Sequence, residues 1–434
     1  MFAPRRPVAA APQVAHRVSL HAATIAHLRP VLQSARPNPR AEIRPMPLLL
    51  HTADWQIGRL YNRLPPAEAA LLAEARLGTV ERIATLATEQ AADAVLVAGD
   101  VFDAQTVSPR TIRRLFLALQ GYRGPWILIP GNHDAALAEG VWATARRLSV
   151  IPANVHVVTG PEAEVVSLPD ARVAVLCAPL SQRHTAGDLT AAFDHLPSPE
   201  GWHRVGVAHG GVQGLLPDAL DLSNPIAPDR AARARLDYLA LGDWHGTLRI
   251  DDRTWYSGTP EPDRFRNNEA GQVLRVRWRE PGDPPEVTPL RVAQHRWRSE
   301  PFELRVSSDI DRLDAWLRDC EPSDVIELIL QGTVDLTSRE RLDHVLDEAD
   351  ARVHLLLRRS EALHLRPTDE DIAALQADGY LGEVVTELRE AIRQRPPASQ
   401  SAEGSVVEEA DVAESALAIL AGILAQRRAL GDAR

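Results

Sequence analysis

The chain has 434 residues, 45% hydrophobic and 25% charged, enough for one large core and a smaller unit beside it. Its formal net charge is −11, unevenly spread: residues 1–45 carry seven arginines and one acid, Glu42, a balance of +6, while the rest carries −17. A body this acidic makes a poor stand-alone DNA binder, because duplex affinity comes largely from Lys/Arg contacts to phosphate; metal ions or a partner would have to supply the positive field.

No apolar run approaches the ~18 residues a membrane span needs. Two cysteines, Cys177 and Cys320, are too few for a disulfide framework and sit in no metal-binding spacing, so a reducing cytoplasm is expected. Residues 1–45 are rich in Ala, Pro and Arg without a core pattern. Met46 directly precedes "PLLLHTADWQ", so the natural start is expected there, with a disordered tail or an Arg-rich targeting peptide as the alternatives.

From Leu48 to about 280, short apolar runs alternate with helical patterns. The runs are "LLLHT" (48–52), "AVLVAG" (94–99), "WILIPG" (126–131), "VAVLCA" (173–178), "RVGVAH" (204–209) and "YLALGD" (238–243). They read as buried strands of an α/β fold. A helix is expected over 66–90, and another from the N-cap Ser108, through Pro109 at its first position, to Gly121. Residues 270–290 read as a hairpin, "QVLRVRW" then "EVTPLRV". A β-α-β-α-β run follows: strand 302–307, helix near 309–320, strand 325–332, helix near 338–350 and strand 352–359. A helix-rich region continues to about 395, and "RPPASQSAEGS" (395–405) has linker composition. The tail predicts an amphipathic helix with Val412, Leu417, Leu420, Ile423 and Leu424 on its apolar face. The expected organisation is an extension over 1–45, a main α/β domain over 46–290, a smaller α/β domain over 291–395, and a linker with tail over 396–434.

The ends of the apolar runs carry the chemistry, as in α/β folds generally. The first supplies Asp54 and Gln56, the second Asp100 and Asp103 ("GDVFD"), and the third Asn132, His133 and Asp134 ("GNHD"). The fifth supplies His209 ("AHGG"), and the sixth Asp243 and His245 ("GDWH"). One such Asp is an ordinary turn residue, and one buried His is more often a core residue than a ligand. Brought to one sheet edge together, that many polar groups would cost ~2–7 kcal/mol each to bury unpaired. Bound cations are the simplest compensation, and a pair of them about 3.5–4 Å apart suits phosphoester hydrolysis.

"HTADWQIG", "GDVFD", "GNHD", "VAHGG" and "GDWHG" resemble, in order and spacing, the calcineurin-like metallophosphoesterases. Within these the chain resembles the DNA double-strand-break repair nucleases of the SbcD type, whose segment after the last metal motif is similar to "YSGTPEPDRF" (256–265). The resemblance implies a four-layer α/β/β/α sandwich followed by a small α/β capping domain and a C-terminal helical tail. It implies two divalent ions, Mn²⁺ first and Mg²⁺ second. Asp54, the Gln56 position, Asp100 and His245 would hold one, and Asp100, as bridge, with Asn132, His209 and Asp243 the other. His133 would be the catalytic imidazole, oriented by Asp134. It implies DNA as substrate, an SbcC-like coiled-coil ATPase as partner, a possible homodimer and no membrane association.

Two positions depart from the pattern. Gln56 stands where the family has His, and Asp243 begins what the family writes as "GHxH". Both replacements offer oxygen, so the expectation is a working, retuned site; Gln56 contributes its amide carbonyl or leaves its place to water. Trp55 and Trp244 are read as packing rather than base-stacking residues, Asp103 as a hydrogen-bonded turn residue, and the arginines of "RTIRR" (110–114) as a solvated helix face. Beside a DNA exo- or endonuclease stand two other readings. One is a phosphodiesterase or phosphatase for a small nucleotide or phosphoprotein; the other is a catalytically weak scaffold subunit of an ATPase complex.

Overall fold

The computed structural model describes residues 46–215, 224–265, 268–374, 380–394 and 404–432. The extension over 1–45 and most of the 395–405 linker lie outside the described residues.

Two six-stranded sheets face each other. The first has the spatial order Glu286–Arg291, Gln272–Arg277, Leu48–Thr52, Ala94–Ala98, Trp126–Ile129, Val155–Val157. The second runs Leu248–Arg249, Thr254–Tyr256, Tyr238–Gly242, His203–His209, Val173–Ala178, Glu164–Leu168. All six runs expected to be buried strands are strands, and the expected hairpin pairs 272–277 with 286–291. Each apolar run lacks polar alternation because both of its faces are covered. In the first strand Leu49 points between the sheets, into the buried cluster that also holds Val173, Val175, Val205, Val207 and Tyr238. Its neighbour Leu50 points outward onto Val80, Ile83, Ile112 and Phe116 of helices Pro66–Glu89 and Pro109–Ala118. The outer face of the second sheet, at Ala174, Leu176 and Leu239, is covered by Phe193, Ala231, Ala234 and Leu236 around a 3₁₀ turn and a short helix. The result is the α/β/β/α layering, with ~1.5–3 kcal/mol of favourable burial for each large apolar side chain.

The Pro109–Ala118 helix starts as its sequence requires: Ser108 accepts from the Thr111 backbone N–H, and Pro109 fills the first turn without wasting a donor. Arg110 and Arg113 of this helix are not buried, and Arg114 pairs with Glu74.

The last part of the chain forms a parallel sheet of Arg296–Leu304, Asp324–Val334 and Leu355–Leu365 in sequence order. Its outer strands differ from expectation: the first begins six residues earlier than the apolar stretch at 302–307, and the last extends to Leu365. Pairing with the long central strand carries them through polar sequence. Helices Ser307–Arg318 and Leu336–Asp350 bury Ile310, Leu313, Leu317, Leu342 and Leu346 on one face. The other face sets Val325 and Leu355 against Tyr61 and Leu72.

The tail forms a helix, Gly404–Asp432, but its expected apolar face divides. Leu417 and Leu420 pack on Ile372, Val385 and Leu388, while Val412 and Ile423 are exposed. The seam that packs is lined by Ala410, Ala413, Leu417 and Ala421, mostly small residues that a hydrophobic-size pattern underweights. No helix among the described residues is long and apolar enough to cross a membrane.

Candidate metal centre

The strands Leu48–Thr52, Ala94–Ala98 and Trp126–Ile129 are mutually parallel, as are His203–His209 and Tyr238–Gly242. Their C-terminal ends therefore deliver Asp54, Asp100, Asn132, His209 and Asp243 to one edge. The loops there interlock. Asp54 N donates to Gly99 O at 3.0 Å, Gln56 N to Asp100 O at 2.8 Å and Ile57 N to Val101 O at 2.9 Å. Asp243 N donates to both oxygens of Asp54, at 3.1 and 3.2 Å, joining the two sheets. Asp54, Gln56, Asp100 and Asp243 all sit at positive φ, 53°, 46°, 50° and 104°, a conformation non-glycine residues adopt at a cost and that clusters at functional sites. Gly131 is more than a turn residue, since a side chain there would collide with the Asp100 carboxylate and the His209 ring.

Among the described residues, Asp54, Asp100 and His209 present donor atoms all within 4.8 Å of one another. His209 hydrogen-bonds Ala98 O through Nδ1 at 2.9 Å, leaving Nε2 to face Asn132 Oδ1 at 3.0 Å, Asp100 Oδ1 at 3.6 Å and Asp243 Oδ1 at 3.7 Å. A bare imidazole nitrogen and an amide oxygen at that distance repel unless a proton or cation lies beside them. Burial alone would lower the His209 pKa, but Asp100, Asp243 and Asp54 raise it to about 9. Burial, with Asp100 and Asp243 adding to it, pushes Asp54 up to about 7 against the opposing pull of His245 and His209. Burial also raises Asp243. Three carboxylates, two of them buried, with an amide oxygen and a buried imidazole are a donor set suited to a hard divalent cation.

His133 stands at the rim with 43% of its side chain exposed. Its backbone N–H donates to Asp100 Oδ1 at 2.9 Å, and Nδ1 lies 2.8 Å from Asp103 O, which leaves Nε2 as the uncommitted ring nitrogen, 3.9 Å from Asp100 Oδ2. The expected orienting role of Asp134 needs correction. Its carboxylate accepts from Gly131 N at 2.7 Å and Phe102 N at 3.2 Å, and the ring of His133 is held by the Asp103 carbonyl instead. Asp134 folds back to close its own turn, so it places the loop rather than the imidazole. Burial and then Asp100 push its carboxyl to about 7.

On the other side, Gln56 is 1% exposed. Its Oε1 accepts from Arg59 Nη1 at 2.6 Å, and its Nε2 lies 3.3 Å from His245 Nε2. His245 Nδ1 lies 3.1 Å from Asp263 Oδ2, which also accepts from Arg264 Nη2 at 2.9 Å and pairs with Arg59 Nη2 at 3.1 Å. Burial would raise the Asp263 pKa, but His245 and Arg264 hold it well below the usual carboxylate range.

Four participants were not singled out from the sequence. Arg59 follows the first motif directly, and Asp263 and Arg264 lie within the quoted "EPDRF", so proximity to recognised motifs was the available signal. Buried Arg76 is the fourth. It donates to Trp55 O, Asp54 O, Glu261 O, Tyr61 Oη and Thr259 Oγ1 at 2.7–3.2 Å, clamping the first ligand loop to the 259–261 segment. Trp55 is packing: it is buried, donates to Thr52 Oγ1 at 2.9 Å and meets Trp126 edge-on. Asp103 pairs with Arg59 at 3.2 Å through its side chain.

Residues 47–275 match the family described as calcineurin-like phosphoesterase. The chain is 42% identical over 110 residues to the D subunit of the nuclease SbcCD of Rhodobacter capsulatus, a stretch covering 24% of this chain and a quarter (25%) of that protein. A solved protein of Thermus thermophilus aligns at 12% identity and TM-score 0.35, over 57% of this chain and 99% of its own. A purple acid phosphatase from yellow lupin (Lupinus luteus) seeds aligns at 11% identity and TM-score 0.35, over 57% of this chain and 52% of its own.

Proposed function

The chain belongs to the calcineurin-like phosphoesterase family, and from that premise we propose that it is a metal-dependent phosphodiesterase acting on DNA, the nuclease subunit of a complex with an SbcC-like coiled-coil ATPase. The observation that carries the hydrolytic part is the edge where Asp54, Asp100, Asn132, His209 and Asp243 collect beside the half-exposed His133. The DNA part is supported by the partial likeness to the SbcCD nuclease, and the acidic balance of the chain means that a partner would have to supply the affinity for DNA.

Asp54, Asp100, Asn132, His209 and Asp243 would hold the divalent ion, with Mn²⁺ favoured by the oxygen-rich set and Mg²⁺ next. A bound cation there supplies Lewis-acid charge to phosphate oxygens and acidifies the attacking water. The Ala98 carbonyl fixes the His209 tautomer, so that Nε2 is the atom presented to the centre. The Asp103 carbonyl likewise takes the Nδ1 proton of His133. In the imidazolium form the remaining proton sits on Nε2, 3.9 Å from the Asp100 carboxylate, and from there it would be donated to the oxygen that leaves phosphorus.

The test begins from metal-free protein given Mn²⁺ and labelled linear duplex or single-stranded DNA, with His133→Ala as comparison. Mn²⁺-dependent cleavage lost in that variant supports the nuclease. Cleavage of a chromogenic diester but not DNA, even with the ATPase and ATP added, favours the small-substrate reading. Metal binding with no turnover of either would leave the scaffold reading, which Gln56 and Asp243 motivate.

A further inference from the structure

Of the two cation positions expected from the sequence, the one at Asp54, Gln56, Asp100 and His245 is built against a second ion. The Gln56 carbonyl oxygen, its one ligating atom, is taken by Arg59 at 2.6 Å. The amide NH₂, which only donates, therefore lies 3.3 Å from His245 Nε2 and fills the approach an ion would use. Turning the amide over would set its NH₂ against the guanidinium, donor against donor. Arg59 is not free to withdraw, because Asp103 at 3.2 Å and Asp263 at 3.1 Å anchor it on two further sides. Its charge also repels any cation entering next to Gln56. Among the described residues, Asp54, Asp100 and His209 bring donor atoms within 4.8 Å of one another, on the side of the site away from Arg59 and Gln56.

We propose that the centre of this chain is mononuclear, its single divalent ion held around Asp100 and His209, and that the Gln56–Arg59 pair occupies the place of the other ion. This replaces the two-ion expectation and rests on the metallophosphoesterase reading above. The guanidinium then provides fixed positive charge on the side of the site where the absent ion would have provided it.

The test counts ions. The full chain is stripped with chelator, dialysed to equilibrium against millimolar Mn²⁺, and examined by metal analysis and electron paramagnetic resonance. The expected result is one Mn²⁺ per chain with the six-line signal of an isolated ion. The Gln56→His/Arg59→Ala double variant is expected to take up two, with an exchange-coupled spectrum. Two ions or an exchange-coupled spectrum in the unaltered protein would overturn the proposal, and that count needs no variant to fold. A double variant that keeps the unaltered protein's circular dichroism yet still binds one ion would overturn the assignment to Gln56 and Arg59. Two ions together with diester hydrolysis would remove only this inference. No bound ion and no hydrolysis would remove the phosphoesterase reading itself.

Discussion

His209 Nε2 and Asn132 Oδ1 lie 3.0 Å apart, two acceptor atoms aimed at one point while His209 Nδ1 is committed to Ala98 O. A proton holds this pair together in the metal-free chain, since the carboxylates around His209 raise its pKa to about 9. Cation binding must expel that proton. Mn²⁺ uptake at neutral pH is therefore expected to release protons, seen by calorimetry as a binding enthalpy that changes with the ionisation enthalpy of the buffer. His209→Ala removes both the ligand and the released proton. It should weaken Mn²⁺ binding by more than the ~10–100-fold that losing an outer partner costs. Unchanged affinity would remove His209 from the centre.

The same buried charges set the pH dependence of the metal-free protein. Asp54 and Asp134 rise from 3.8 to about 7 on folding, and His209 from 6.5 to about 9. Each binds its proton more tightly folded than unfolded, so each contribution is complete below its unfolded value and lost as pH rises through the folded one. Asp263 acts oppositely, but its depressed pKa confines that effect to strongly acid solution. Chelator-treated protein should lose melting temperature steadily from about pH 4 to about pH 9, with Mn²⁺ restoring most at the alkaline end. A flat profile without metal would contradict this arrangement of charges.

Asp134→Ala leaves Gly131 N and Phe102 N buried without their acceptor. Each orphaned donor costs about 1–3 kcal/mol, readable in a denaturant titration. Because Gly131 precedes Asn132 and His133, Mn²⁺ affinity and turnover should both fall. A role confined to the His133 ring would lower turnover and spare both metal affinity and stability.

Arg76→Met keeps the length of the side chain and removes five hydrogen bonds to the segments at 54–61 and 259–261. With its acceptors left in a buried place, the variant should be destabilised by about 3 kcal/mol or more. Since Asp54 O is one acceptor, metal affinity should drop as well. A variant with unaltered stability would mean that water replaces the guanidinium.

Much of the site was legible because the same physics wrote the pattern twice. Strands covered on both faces must be continuously apolar, so a Gly-Asp, Asn-His or Ala-His at their ends stands out as the place where the chain meets an edge. The tail shows where such reading weakens. A heptad-like set of large residues marked Val412 and Ile423 as buried, yet alanines form most of the packed seam, because close helix approach favours small side chains. Arg76 was invisible for the opposite reason: an arginine on an amphipathic helix reads as solvated, and only the folded loops give it five buried acceptors.

The sequence by itself determined the buried strands and the identity of the polar groups at their ends, because strand burial is a local consequence of residue type, while the layering was what the family resemblance implied. Only the tertiary structure decided which atom of each group faces inward. The ring of His133 is set by a carbonyl 30 positions away, and that of His209 by one 111 positions away. The Gln56 amide faces a histidine 189 positions away, with its oxygen drawn off by Arg59. Tautomers and amide orientations are set by hydrogen bonds between distant segments, and those bonds exist only once the sheets have packed.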